Sequence, residues 1–198
     1  MVSRLNALLR RIPLWVVWIL GLLPLAFLLR DTLAGNLGVD PIPRIEHRLG
    51  RTAFYFLVGG LGISPFLWLS GVSLIRFRRA VGLIAFLYIC LHIAAWVVLD
   101  MGLTWNQMAR DVLRRPYLTV GMAAFALLLP LAVTSNAASI RALGARAWKN
   151  LHRLVYLAVP LAGLHYLWVG KLAEPQPLSW LAIILLLLCL RLFRRRRG

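Results

Sequence analysis

Long apolar runs alternate along the chain with short clusters of arginine. A membrane-spanning helix needs about 20 mostly apolar residues, within a range of about 17 to 25. Six stretches meet or approach that length: 12–29, 52–75, 80–99, 117–134, 151–169 and 178–193. The last is the shortest before its first arginine, Arg191, whose apolar stem can snorkel to an interface. The pattern predicts an all-α membrane protein, a six-helix transmembrane bundle forming one domain over residues 1–198. Arg4, Arg10 and Arg11 before the first span resemble the start of a signal peptide. Its apolar stretch is long for one and no small-x-small site follows, so a retained helix is expected. The longest connections, around Arg30 to Arg51 and Asp100 to Pro116, run to about twenty residues and leave no room for a soluble domain.

Composition and charge sharpen this picture. Hydrophobic residues make up 61% of the 198 and charged residues 15%, with a mean hydropathy of +0.79. Those figures exclude a soluble globular enzyme and a disordered chain. The net charge of +17 invites a nucleic-acid partner, but a nucleic-acid binder gathers its basic residues on one solvated face. Here they fall in clusters between spans, the pattern of topology, so membrane lipid is the expected partner and nucleic acid is not. Fifteen of the 23 Lys and Arg lie at the two termini and in the second-to-third and fourth-to-fifth connections. The other eight, with all six acids, lie on the opposite side. The positive-inside rule then places both termini in the cytoplasm. Cys90 and Cys189 sit in apolar segments and form neither a disulfide framework nor a zinc site. No phosphate-binding loop, dinucleotide fingerprint or metalloprotease helix occurs. The run Gly59-Gly60-Leu61-Gly62 falls inside a span and suits close approach of a helix or a flat ligand.

Ionisable side chains inside a membrane are costly and mark function. Of the four histidines, His92 and His165 lie well within spans, His152 at the cytoplasmic start of the fifth, and His47 in the first outer connection. On spans that both run outward, His92 and His165 fall at depths differing by only about 4 to 5 Å. Two neutral imidazoles at one depth on neighbouring helices can ligate a haem iron from opposite sides. His152 lies thirteen residues before His165, about 20 Å along a straight helix, at an azimuth roughly 140° away. Pro160 between them alters that facing. Competing readings are a core histidine for His92, an interfacial one for His152 beside Lys149 and Arg153, and a solvated loop residue for His47. Spacing alone leaves these open. Tryptophans near span ends, Trp15, Trp96, Trp105, Trp148, Trp168 and Trp180, fit an interface belt.

Several motifs, taken in order, resemble one family. They are Asp40-Pro41 with Ile45-Glu46-His47 and Gly50, Leu74-Ile75-Arg76 with Arg78-Arg79, and Leu91-His92. Arg115-Pro116-Tyr117-Leu118-Thr119-Val120-Gly121 and Leu151-His152 with Val155-Tyr156 follow. Leu164-His165-Tyr166-Leu167-Trp168 and Pro175-Gln176-Pro177-Leu178 complete the series. Together they resemble the haem-binding membrane subunits of periplasmic methionine sulfoxide reductase systems, the MsrQ (formerly YedZ) family of the ferric-reductase-like group. The resemblance implies a multi-pass electron carrier of the bacterial inner membrane that does no substrate chemistry itself. Electrons would pass from the quinone pool through haem b, with FMN as a bound intermediate carrier. They would leave to a periplasmic molybdopterin-containing methionine sulfoxide reductase that repairs oxidised proteins. The family's intramembrane histidines match His92, His152 and His165, and His47 matches a recurring one. A single histidine on the third span leaves open the partner of His152, and with it a second haem. His92 and His165 would hold a haem in the outer half, and His152 would serve a second haem, a flavin or a quinone. Arg76, Arg78, Arg79, Arg141, Arg146 and Lys149 would seat a flavin phosphate or mark topology at anionic headgroups. The alternatives from other classes are a proton- or solute-conducting transporter, which repeat symmetry would favour, and a cofactor-free anchor, which would tolerate every histidine substitution.

Overall fold

The structure is a computed structural model that describes residues 1–170 and 175–196. Lys171, Glu174 and Arg197, counted above in the charge asymmetry, lie outside the described residues. The chain divides into two compact units, Met1–Trp105 and Asn106–Gly198. Among the described residues, five helices are long and apolar enough to cross a membrane: Leu14–Leu33, Pro41–Ser70, Ile75–Asp100, Pro116–Val133 and Gln176–Arg194. The remaining expected span, 151–169, is divided between a 3-10 turn at His152–Leu154 and a 15-residue helix, Val155–Val169. At 1.5 Å per residue that helix covers about 22 Å, short of a hydrocarbon core of about 30 Å.

In the first unit, α1 (Val2–Arg11) precedes α2 (Leu14–Leu33), α3 (Pro41–Ser70) and α4 (Arg78–Ala95), which a π turn at Trp96–Asp100 prolongs. Proline starts α3, where a missing N–H costs nothing. Gly71, at φ +74°, ends it in the left-handed conformation that glycine alone adopts freely. The basic N-terminus was expected only to mark topology, yet it forms α1. Apolar Val2, Leu5, Leu8 and Leu9 share one helical face, and Arg10 and Arg11 lie away from it. Asn6 ties α1 to the α3–α4 connection, donating to Gly71 O (3.0 Å) and accepting from Ser73 N–H (2.8 Å). The Arg76 guanidinium donates to the terminal carbonyls of Leu9 and Arg10.

The core of this unit joins α2, α3 and α4 through Leu28, Leu49, Ala53, Ile84, Tyr88 and Ala95. Pro24 interrupts the hydrogen-bond ladder of α2. The hydroxyl of Tyr88, reaching in from α4, donates to Gly21 O (2.9 Å) and accepts from Leu25 N–H (3.0 Å). It thus stands between the carbonyl and the amide that an unbroken turn would pair. Gly21 suits the approach: a Cβ there would lie 2.6 Å from Ile84 Cδ1 and 3.1 Å from its Cγ2, so Ile84 would have to shift. The expected glycine-mediated approach is weaker along α3: a Cβ on Gly60 would meet Val81 at 3.5 Å, and one on Gly59 nothing within 4 Å.

In the second unit, α5 (Trp105–Arg114), α6 (Pro116–Val133), α7 (Ala137–Leu151), α8 (Val155–Val169) and α9 (Pro175–Arg196) follow in order. Leu128 and Leu131 of α6, Val159 and Leu167 of α8 and Ile184 of α9 are buried. The basic fourth connection, expected as a loop, is largely α7, capped by the Asn136 side chain accepting from Ser139 N–H (2.7 Å) and broken at Gly144. Trp15, Ile19 and Phe27 of α2 and Leu185, Leu186 and Phe193 of α9 are exposed, as faces turned to lipid require.

The Gly21 contact gives a direct test. Gly21→Ala is expected to destabilise the protein in detergent by about 1–3 kcal/mol, the usual cost of overpacking. Adding Ile84→Val removes the clashing Cδ1 and should restore much of the melting temperature. Equal stability of the single variant and the parent would show that this packing is not tight.

Candidate functional site

Each unit presents one intramembrane imidazole in a defined hydrogen bond. His92 sits near the end of α4, and its Nδ1 lies 3.0 Å from the backbone oxygen of Glu46 on α3. His165 sits near the end of α8, and its Nδ1 lies 2.8 Å from the backbone oxygen of Tyr117 on α6. A carbonyl oxygen only accepts, so in both cases Nδ1 carries the proton and donates it. Neutral imidazole then holds its lone pair on Nε2, the form that ligates a metal. A metal-bound histidine that donates its other ring N–H to a carbonyl is the usual arrangement around metals, because the bond fixes ring orientation and raises basicity. Glycine faces each ring: Gly50 on α3 against His92 and Gly121 on α6 against His165. The Tyr117 ring also lies beside His165, centroids 6.3 Å apart.

His152 is different in kind. It occupies the 3-10 turn at the start of α8, at the opposite end of that helix from His165. Its Nε2 lies 3.1 Å from Thr134 Oγ1, and its ring stacks on Trp148 with centroids 3.9 Å apart. The single hydroxyl proton of Thr134 goes to Pro130 O at 2.6 Å, since that oxygen cannot donate. Thr134 Oγ1 therefore accepts from His152, and Nε2 is the protonated nitrogen. Trp148 Nε1 closes the cluster by donating to Thr134 O at 2.8 Å. The lone pair of His152 consequently lies on Nδ1, the reverse of the other two histidines. His47 is exposed on α3.

Three of the expected site residues thus have defined partners, and His152 and His165 are held at separate ends of one helix. Glu46, Gly50, Tyr117, Gly121, Thr134 and Trp148 were not singled out as site residues from sequence. Four of them lie within the family motifs, but a carbonyl acceptor leaves no trace in residue type. Trp148, counted in an interface belt, has the more specific place against His152. Among the described residues no three His, Cys, Asp or Glu side chains gather as a metal-binding group. In each unit the Nδ1–H bond directs the imidazole lone pair to Nε2, the kind of donor that haem iron takes from histidine. Glu46 Oε1 is buried without a hydrogen-bond partner beside the His92 acceptor.

Residues 16–163 match the family described as Ferric reductase like transmembrane component. The chain is 42% identical over 181 residues to the protein-methionine-sulfoxide reductase heme-binding subunits MsrQ of Brucella ovis, Brucella canis and Brucella suis. Each alignment covers 91% of this chain and 82% of the relative. No solved structure matches.

The ring protonation pattern is measurable without any cofactor. In 15N-histidine-labelled, haem-free protein, solid-state NMR at neutral pH is expected to show His92 and His165 as Nδ1–H tautomers and His152 as Nε2–H. Three identical tautomers would contradict the hydrogen-bond assignment.

Proposed function

The chain belongs to the ferric-reductase-like transmembrane family and, within it, to the MsrQ heme-binding subunits, and from that premise we propose that it is a multi-pass membrane electron carrier whose His92 and His165 hold haem b. The observation that carries this reading is the shared hydrogen bond: both imidazoles donate Nδ1–H to a helical carbonyl, which directs the lone pair to Nε2. Haem supplies the one-electron chemistry when bound. The chain's own residues do the rest. Glu46 O and Tyr117 O orient the rings and increase imidazole basicity, which favours the ferric state. The apolar helices exclude water and lower the local dielectric, which bears on the potential.

The finer steps follow the same reading. Six segments cross the inner membrane as one haem-binding domain over residues 1–198, α8 doing so together with the 3-10 turn that precedes it, with both termini in the cytoplasm. Electrons arrive from quinone, with FMN as a bound carrier, and leave to a periplasmic molybdopterin-containing methionine sulfoxide reductase. The cytoplasmic-side group is Thr134–His152–Trp148, with Lys149 and Arg153 adjacent in sequence. Both ring N–H groups of this cluster, His152 Nε2–H and Trp148 Nε1–H, are committed to Thr134, and the His152 lone pair is directed to Nδ1. His152 ligates a second haem only through Nδ1, or after Thr134 Oγ1 gives up its hydrogen bond.

The test is an absorption spectrum of the detergent-purified protein, oxidised and dithionite-reduced, with haem counted per chain. Low-spin six-coordinate haem b is expected. His92→Ala and His165→Ala should each lose most of it while still inserting into the membrane. Full retention in either variant removes that ligand from the assignment. A colourless parent protein from haem-replete cells would leave the transporter or the anchor.

A further inference from the structure

One device holds both imidazoles. On α3 the accepting oxygen belongs to Glu46 and the residue four positions on is Gly50. On α6 the accepting oxygen belongs to Tyr117 and the residue four positions on is Gly121. This spacing has a geometric cause. The carbonyl of helical residue i points along the axis toward residue i+4, whose N–H it accepts. An imidazole that reaches the same oxygen from the side must therefore lie over residue i+4. Any Cβ there projects into the ring.

The distances agree. A Cβ built on Gly50 would stand 3.3 Å from both Cε1 and Nδ1 of His92. On Gly121 it would stand 2.8 Å from Nδ1 and 3.0 Å from Cε1 of His165, closer than side-chain carbons approach. In both cases all three nearest atoms belong to the histidine ring. Ordinary glycine-mediated helix packing looks different here: Gly21 faces Ile84, Gly60 faces Val81, and Gly82 faces open space.

We propose that Gly50 and Gly121 are positioning residues for the axial ligands. Each omits the side-chain atom that would lift the imidazole off its carbonyl. Each thereby secures both the ring's seat and the Nδ1–H tautomer that puts the lone pair on Nε2. Gly121 is the stricter of the two, because its contact is shorter. The proposal rests on the haem-ligand reading of His92 and His165, yet part of it is measurable on the haem-free chain.

The experiment compares full-length Gly121→Ala, Gly50→Ala and, as a packing-neutral control, Gly82→Ala with the parent. Three readouts are taken: haem per chain, the low-spin to high-spin ratio by electron paramagnetic resonance, and the 15N tautomer of the facing histidine without haem. Gly121→Ala is expected to weaken haem retention by roughly 10- to 100-fold, the usual effect of losing an outer hydrogen bond to a metal ligand. Its remaining haem should become largely high-spin, and His165 should lose the Nδ1–H signature. Gly50→Ala should change the same readouts at His92 less strongly, and Gly82→Ala should match the parent. If Gly121→Ala yields no folded protein, Gly50→Ala decides by the same readouts. Alanine variants with parental spin state and unchanged tautomers would overturn the positioning role. A parent that binds no haem but shows tautomer loss in Gly121→Ala would instead overturn the haem reading and leave the steric role intact.

Discussion

In hydrocarbon, a backbone polar atom without a partner costs several kcal/mol, and no water is present to supply one. Much of this structure answers that constraint. Pro24 breaks the ladder of α2, and the hydroxyl of Tyr88 occupies the break by bonding on both sides of it. Pro130 lies near the end of α6, and its carbonyl accepts both the amide and the hydroxyl of Thr134. The same logic governs the histidines. A neutral imidazole has one donor, and Glu46 O and Tyr117 O are oxygens with a second lone pair already inside the bundle. The protonation state of each ring is thus set by the backbone it touches.

That setting divides the histidines. The family resemblance matches His92, His152 and His165 alike, and sequence position already sets His152 apart at the start of its span. Hydrogen bonding separates them. Two donate through Nδ1 to a carbonyl, and the third donates through Nε2 to a hydroxyl whose own proton is committed elsewhere. The lone pair is thereby directed to Nε2 in His92 and His165 and to Nδ1 in His152, and the two arrangements occupy opposite ends of α8 in His165 and His152.

Much of the fold was legible from apolar length alone, because a bilayer imposes a minimum on it. Four expected spans correspond to helices of spanning length, 12–29, 52–75, 80–99 and 117–134, and a fifth, 178–193, lies within α9. The stretch 151–169 is largely apolar, but a 3-10 turn at His152–Leu154 takes its first residues, and hydropathy does not register turn type. Helices α1, α5 and α7 were hidden for another reason. Their arginines read as topology signals, and an amphipathic helix at a surface carries the same residues as a basic loop. At the site, the histidines were visible because a buried imidazole is rare. Their acceptors were not, since every residue owns a carbonyl. The glycines at i+4 were the trace those acceptors left, and Gly121 and Gly50 became meaningful only once the helix that faces them was known.

Each half of this arrangement is complete within one helix pair. His92 is oriented by α3 alone, and His165 by α6 alone, with no contribution required from the other unit. The orienting groups are main-chain atoms of long helices, which are harder to displace than side chains on loops. A ring fixed in this way loses little further freedom when it takes a ligand, so more of the binding free energy remains for retention. It also changes little in geometry when an electron arrives or leaves. For an electron carrier, rigidity of the imidazoles is a useful property. A helical carbonyl with glycine four residues on provides it from main-chain atoms and without a dedicated polar side chain in the membrane.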